Sequence, residues 1–334
     1  MFVLGIETSC DETAAAVIGP EGVCSDVVYT QEIHQKYGGV VPELAGRAHV
    51  EKVVSTTRAA LDAAGIERPD GVAATAGPGL MGAVLVGMCF GKAAAAGWGV
   101  PFIGVNHLEG HLLSPLLEDP APRYPFLALV VSGGHTTLYL ARGLADYEVL
   151  GQTVDDAAGE VFDKVARMMG LGYPGGPLVD VLAAQGNSTA ITFPRTKIVA
   201  GTHTRGSRRV RTALDMSFSG LKTAVRTYLM RTDGWSGPDV AASFQQAVVD
   251  VLCQRVMEAS RQTGIYQIAM AGGVAANSQL REAMRALPLE VFMPPGSRCT
   301  DNGAMIANVG RLRMMTGQSD SLGLTARASW TPGT

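Results

Sequence analysis

The chain has 334 residues, 47% apolar and 17% charged, enough to bury a sizeable core and long enough that two domains are the expectation rather than one. A formal net charge of −3 excludes a generic nucleic-acid binder, and 41 glycines beside 6% aromatics point to the tight turns and close backbone approaches of α/β nucleotide-binding proteins. The five cysteines are scattered, odd in number and contain no CxxC, which excludes a disulfide framework or a structural zinc ribbon and fits a reducing, cytoplasmic compartment.

Phe2–Ile6 and Ala14–Ile18 are short apolar runs around the polar loop ETSCDET and predict an opening β-hairpin, whose Glu7 and Asp11 fall too early for a secretory signal. A helix from about Pro42 to Ala64, a strand near Val72–Thr75, the loop AGPGLMG, a long helix and the strand PFIGV follow. The most apolar region, Leu80 to Val105, is Gly/Ala-rich and interrupted by Lys92, so it reads as a buried helix and strand; no membrane association is expected. FLALVVSGGHTTLYLA then repeats the opening plan with strand Phe126–Val131, loop SGGHT and strand Thr137–Ala141. Two such hairpins suggest two related halves, and the strand–helix alternation between them suggests an α/β sheet. Asp156–Met169 reads as a helix with Val161, Phe162, Val165, Met168 and Met169 on one face and Gly170 as its stop. SFSGLKTAVRTYL and DVAASFQQAVVDVLCQRVMEASRQTG predict further amphipathic helices, followed by the strand YQIAMAGG, a helix from Asn277 and the helix DNGAMIANVGRLRMM. The tail after Gly317 has no periodicity and is expected to be loosely held.

Among the motifs, HLEGH at 107–111 carries the sharpest question. Asn106 is a good N-cap, and Glu109 at the third helical position suits a capping box. His107 and His111 stand at i and i+4, so both imidazoles leave one helix face, and the helix N-terminus is expected to keep them neutral and able to ligate. A zinc protease needs glutamate directly after the first histidine, and Leu108 occupies that place. The blander reading is a pair of half-buried histidines on a capped helix. Asp301, in CTDNGAMIA, is either the N-cap of the helix after it or the hard third ligand that two histidines lack, a set suited to Fe²⁺ or Zn²⁺.

Other stretches stay open on their residues alone. Thr8 and Ser9 of ETSCDET, and Ser132, Gly133 and Gly134 of SGGHT, are candidates to hold phosphate oxygens. In IAMAGGVAANSQL, Gly272 and Gly273 allow close approach of a flat ligand, while Asn277 serves equally as an N-cap. Asp163 lies off the apolar face of its helix beside Lys164, which can pair with Glu160, and GYPGGP reads as an ordinary turn. Arg195, Lys197, Arg205, Arg208, Arg209, Arg211, Lys222 and Arg226 face a single acid, Asp215, over the same stretch: either a solvated loop or a surface for a phosphate backbone.

Taken together, GIETSCDETAAAV, AGPGLMGAV, NHLEGH, LVVSGGHT, GEVFDKVAR, YPGGP, SFSGLKT, AGGVAAN and CTDNGAMIA occur in the order of one family and span nearly the whole chain. The chain resembles the bacterial tRNA N6-adenosine threonylcarbamoyltransferases, a family formerly labelled O-sialoglycoprotein endopeptidases. The resemblance implies an α/β, actin/Hsp70/sugar-kinase-like fold of two related RNase H-like halves with a ligand in an inter-domain cleft. The halves would be 1–120, joined by 300–334, and 121–299. It implies transfer of a threonylcarbamoyl group from L-threonylcarbamoyladenylate to N6 of the adenosine 3′ of the anticodon, in tRNAs reading codons that start with A, with AMP released. It implies one Fe²⁺ per subunit, or Zn²⁺, on His107, His111 and Asp301. It further implies substrate contacts at Val130, Val131, Ser132, Gly133, Gly134, Asp163, Gly176, Asp180 and Asn277. The implied partners are a catalytically silent paralogue of the same fold and a small P-loop ATPase.

For the chemistry, Asp11 and Glu12 are candidates to accept the proton of the incoming amine. The segment Thr196–Met216 is about ten residues longer than the family pattern, and its Arg205, Arg208, Arg209 and Arg211 are candidate tRNA contacts. The alternatives on the same fold are a small-molecule kinase, which would not need the two histidines, and an Hsp70-like nucleotide-switched binding module, which wants a peptide-binding domain after the two halves.

Overall fold

The computed structural model describes residues 1–196, 198, 200–201 and 212–333. In chain order the elements are β1 (Val3–Glu7), β2 (Glu12–Gly19), β3 (Gly22–Thr30), α1 (Pro42–Ala64), β4 (Gly71–Gly77), α2 (Met81–Trp98), β5 (Phe102–Asn106), α3 (His107–Leu113), β6 (Phe126–Val131), β7 (Thr136–Gly143), β8 (Asp146–Gln152), α4 (Ala158–Met168), α5 (Gly175–Ala183), α6 (Ser219–Arg231), α7 (Gly237–Thr263), β9 (Gln267–Ala271), α8 (Ser278–Arg285), β10 (Glu290–Phe292) and α9 (Gly303–Met315). They form two units, Met1–Ala121 with Asp301–Thr334, and Pro122–Thr300.

Each unit has a five-stranded sheet of the same topology. In the first the order is β3-β2-β1-β4-β5: an antiparallel meander of three strands, then β4 parallel to β1 and β5 parallel to β4. In the second, β8-β7-β6-β9-β10 repeats that plan. β1, β4 and β5 are buried along their whole length, as parallel strands covered on both faces must be. The two faces of β2 show the covering. Ala15 and Val17 join a core with Val53 of α1 and Met88 of α2, while Ala16 and Ile18 pack with Ala304 and Ala307 of α9. Gly5 permits that second contact, since a Cβ there would collide with the Ala307 backbone and the Gly303 carbonyl. This close approach seats the N-terminus of α9, and with it Asp301. In the second unit, Leu127, Leu129 and Val131 of β6 pack with α4 and α7, where Phe162 and Phe244 meet edge to face at 5.1 Å.

Several expectations are corrected. β3 and β8 are not legible in the sequence because each is an edge or near-edge strand with a mixed burial pattern that breaks clean alternation. α4 begins at Ala158 rather than Asp156, because the two preceding acids have other partners. Asp155 accepts from the Phe218 and Ser219 amides at the start of α6, and Asp156 pairs with Lys164 and Lys222. Met168 is exposed, and Ala158 and Ala166 complete the buried face instead. α2 is the one described helix long and apolar enough to cross a membrane, yet its Ala83, Val84, Gly87, Met88, Gly91 and Ala95 face is buried in the unit.

The tail after Gly317 is not loose. Asp320 N donates to Phe102 O at 2.8 Å, and Gly104 N donates to Asp320 Oδ2 at 2.9 Å, along the open edge of β5. Leu324, Ala326 and Trp330 pack on the first unit's core, and Arg327 N donates to Ala76 O at 2.8 Å. An extended strap laid along a sheet edge needs neither a strand nor a helix period, so pattern reading cannot see it.

Of the basic segment, Arg205, Arg208, Arg209 and Arg211 lie outside the described residues. Two of its other cations have partners inside the second unit: Arg195 pairs with Asp250 at 2.6 Å, and Lys222 with Asp156.

Candidate metal and substrate site

α3 starts where β5 ends. Asn106 caps it, its Oδ1 accepting from Leu108 N at 2.9 Å and Glu109 N at 3.3 Å. The one-turn spacing then sends both histidines to one side, their rings edge to face with centroids 4.8 Å apart. Asp301 meets them: its Oδ1 lies 2.9 Å from His111 Nε2 and 3.7 Å from His107 Nε2. Asn302, not Asp301, caps α9, accepting from Met305 N at 2.9 Å. That division leaves the Asp301 carboxylate to the histidines. Ligand atoms of His107, His111 and Asp301 all lie within 4.8 Å of one another, forming a possible metal site.

The donor set fits a divalent cation. Two imidazole nitrogens and one carboxylate leave open positions of the kind that bind substrate or water. Behind His107 stands a residue the sequence reading passed over as a ligand support, Glu7. Its Oε2 lies 3.1 Å from His107 Nδ1, and Ser9 Oγ lies 3.1 Å from the same nitrogen. Such a carboxylate fixes the tautomer and the ring plane of a ligating histidine. Ser9 N and Thr75 Oγ1 donate to Glu7 in turn. The available signal was an acid ending a fully buried strand, which needs a partner.

Charge at the site differs from the expectation of neutral rings. Burial favours a neutral His107, but Asp301 and then Glu7 outweigh it and push the ring up to about 9. Two carboxylates near contact outweigh the partial charge of a helix end. Burial opposes ionisation of Glu7 as well, yet His107 holds its carboxyl below the usual carboxylate range. A metal ion bound here would compete with a proton for His107.

Glu109 also departs from expectation. Its buried carboxylate accepts from Arg313 of α9 at 2.6 Å, tying α3 to α9, where the sequence reading saw a capping box alone. Glu109→Gln is expected to cost about 2–3 kcal/mol, less than breaking a fully buried pair because Arg313 is partly exposed. Metal content should be retained and transfer should fall less than about tenfold, below the range of a lost acid–base group. Urea unfolding beside a transfer assay checks both; a thousandfold slower rate at unchanged stability would make Glu109 a catalytic acid–base residue.

In ETSCDET the hydroxyls are already used. Thr8 Oγ1 donates to Ala83 O at 2.9 Å and accepts from Gly87 N at 3.1 Å, and Ser9 Oγ serves His107. The reading of Thr8 and Ser9 as phosphate holders is therefore corrected: their oxygens build the site from within. Burial first, then Asp301 and Asp11, push the Glu12 carboxyl up to about 10. Burial also raises the Cys10 thiol, which removes it as a nucleophile. His49, likewise unforeseen, steadies this loop: its Nε2 donates to Cys10 O at 3.0 Å and its Nδ1 accepts from Thr13 Oγ1 at 2.8 Å.

The second unit gathers the other candidates. Val130 and Val131 lie inside β6 with buried side chains. The turn after them is closed by Ser132 N donating to His135 O at 2.7 Å and His135 N donating to Ser132 Oγ at 3.1 Å. Gly133 and Gly134 are exposed, with open space where side chains would stand. Asp163 is not a solvated bystander: Gly175 N, at the start of α5, donates to its Oδ1 at 2.7 Å. Beside it, Lys164 pairs with Glu160 one turn earlier at 2.6 Å, as the spacing predicts. Gly176 follows with open space around it. Asp180 on α5 and Asn277 at the head of α8 are bonded to each other, Asn277 Nδ2 donating to Asp180 Oδ1 at 3.1 Å. Ser278 N and Gln245 Nε2 also donate to Asp180, each at 2.9 Å. Asn277 is at the same time the N-cap, accepting from Leu280 N at 2.9 Å.

A family model described as TsaD, tRNA N6-adenosine threonylcarbamoyltransferase, matches residues 22–308. The chain belongs to the TsaD family. A TsaD-family protein is an acyltransferase of tRNA modification, which gives the acceptor class. Among solved structures, a full-length HypF in a phosphate- and nucleotide-bound form is similar at a TM-score of 0.62 and 13% identity, over 92% of this chain and 45% of that one. HypF from T. kodakarensis is similar at 0.60 and 17% identity, over 94% and 48%. Component A of the Acidaminococcus fermentans (R)-2-hydroxyglutaryl-CoA dehydratase follows at 0.52 and 16%, over 92% and 96%. The TsaD-family chain thus spans about half the length of the two HypF chains. These likenesses show its fold, the actin/Hsp70/sugar-kinase-like one.

Proposed function

We propose that this TsaD-family acyltransferase moves the threonylcarbamoyl group of L-threonylcarbamoyladenylate to N6 of the adenosine 3′ of the anticodon, in tRNAs reading codons that start with A. The observation that carries the reading beyond the family is the convergence of His107, His111 and Asp301, with Glu7 behind His107. N6 attacks the carbamoyl carbon, the bond from that carbon to the phosphate oxygen breaks, and AMP leaves with the electron pair. The proton lost from N6 is accepted by Asp11 or by the departing phosphate. A bound Fe²⁺, or Zn²⁺, supplies Lewis acidity toward an anhydride oxygen. His107, His111 and Asp301 would hold it, with Glu7 and Ser9 orienting His107. The exposed Gly133 and Gly134 of the turn are proposed to offer their amides to an anionic oxygen of the donor. Asp163, Gly176, Asp180 and Asn277 form the rest of the proposed donor site.

The proposed partners are a catalytically silent paralogue of the same fold and a small P-loop ATPase, in the cytoplasm with the tRNA. A protein partner is supported by exposed apolar residues one turn apart on neighbouring helices, Val50 and Val54 on α1, Met81 and Leu85 on α2. The deciding experiment is transfer from the defined adenylate to tRNA by anaerobically purified protein reconstituted with these partners. Phosphoryl transfer from ATP to a small molecule, without AMP release or tRNA modification, would favour the kinase reading.

The basic segment gives a separate prediction. Replacing Arg205, Arg208, Arg209 and Arg211 with serine is expected to weaken tRNA binding and flatten its salt dependence by up to about 0.9 log unit per lost phosphate contact. Adenylate binding should not change. Unaltered tRNA affinity and salt slope would make the segment a solvated insertion.

A further inference from the structure

The C-terminal strap touches the metal helix at its origin. Asn106 is gripped at both ends of its side chain: Oδ1 caps α3, and Nδ2 donates to Trp330 O at 3.1 Å. Three residues earlier the strap crosses the end of β4. Arg327 N donates to Ala76 O, and Gly77, at φ +139°, leaves room where a Cβ would strike the Arg327 carbonyl. Ala328 O accepts from Gly79 N at 3.4 Å, and Leu80 N donates to Ser9 O at 2.9 Å. Ser9 is the residue whose hydroxyl meets His107 Nδ1. Two short chains of contacts therefore run from the strap to the histidines, one through the helix cap and one through the turn at 77–80. The strap is itself pinned, with the Arg327 guanidinium 4.8 Å from the centre of the Trp330 ring and Lys92 Nζ donating to Leu324 O.

We propose that the strap Asp320–Trp330 is a positioning element for the His107/His111 clip, acting through Asn106 and the Gly77–Leu80 turn. The inference rests on the reading of those histidines as metal ligands. It assigns the tail a task in the site: it fixes the direction in which α3 leaves β5, and so where two of the three ligand nitrogens stand. Deviations of a few tenths of an ångström matter for a coordinated ion.

Two full-length variants test it. Asn106→Asp keeps a side-chain oxygen able to cap α3 but sets a carboxylate oxygen against the Trp330 carbonyl, and that repulsion is expected to pull the cap off its amides. Trp330→Ala removes the ring that holds the strap end and leaves Asn106 intact. In metal-free protein, amide hydrogen exchange at Arg327 reports release of the strap, and exchange at Leu108 and Glu109 reports the α3 cap. Both variants are expected to exchange at least about tenfold faster at all three amides, with little change in the thermal midpoint. Chelator competition under anaerobic conditions should show Fe²⁺ held at least about tenfold more weakly, the scale of a lost ligand support. The charge added by Asn106→Asp would by itself tighten cation binding, so weaker binding there reports geometry. Faster exchange at Arg327 with Leu108, Glu109 and Fe²⁺ affinity all within about twofold of wild type would overturn the proposal. Failure of wild-type protein to take up Fe²⁺ would instead remove the metal-site reading, while the exchange data would still decide whether the strap positions α3.

Discussion

Protein carrying His111→Ala is expected to emerge from anaerobic purification without its metal and to transfer threonylcarbamoyl at least about a thousandfold more slowly, while remaining folded. Supporting residues around a metal typically cost 10–100-fold in affinity, and a ligand must cost more. His111 has no solvent exposure, its Nε2 lies 2.9 Å from Asp301, and its Nδ1 has no hydrogen-bond partner among the described residues. A buried imidazole with one nitrogen turned to a carboxylate and the other unsupported has little to offer the core beyond volume. The fold should survive because the Asn106 cap and the Glu109–Arg313 pair still hold α3, and Asp301 retains some access to water once its partner is gone. Metal analysis, circular dichroism and a transfer assay on one preparation check the three parts together. Full transfer activity from a metal-free His111→Ala protein would end the metal reading.

Asp180→Ala is expected to weaken binding of the adenylate donor by about a hundredfold, roughly 2.7 kcal/mol, without changing metal content. Asp180 accepts from Gln245, Asn277 and the Ser278 amide and hydroxyl, so it joins α5, α7 and α8. Without it these donors lose a common acceptor, and Asn277 loses the contact that orients its amide. Asp180→Asn should fall between, because one oxygen remains. Calorimetric titration with AMP or a stable adenylate analogue measures the loss, and metal analysis supplies the control, since His107, His111 and Asp301 belong to the other unit. Unchanged donor affinity would reduce Asp180 to a structural joint.

The sequence showed some of this well. The hairpins around ETSCDET and SGGHT, α1 from Pro42 to Ala64, and the one-face placement of His107 and His111 follow from local pattern, and the structure has them. What pattern could not show depends on distant residues. Glu7 looks like the end of an apolar strand until β5 and α3 bring His107 beside it, 100 residues later. Glu109 reads as a cap residue until α9 delivers Arg313. Asp301 reads equally as an N-cap until the structure gives that place to Asn302. The edge strand β3 and the tail lack periodicity because each is recognised on one side only. The charge of His107 was misjudged for a related reason: local reading included the helix end but not the two carboxylates brought in by other elements.

The unit that carries the histidines is also discontinuous, and this sets an order of assembly. Its sheet is complete by Asn106, but the face formed by Gly5, Ala16 and Ile18 has no cover until α9 is made, and β5 has no strap until Trp330. The second unit, Pro122–Thr300, is continuous and has all its own strands before Asp301 leaves the ribosome. During synthesis the later unit can therefore finish folding first, while the earlier one waits with an uncovered apolar face, a state that invites chaperone binding. The nascent chain also lacks the carboxylate that completes the proposed clip until the whole second unit has been translated, so ion loading by all three proposed ligands would have to follow it.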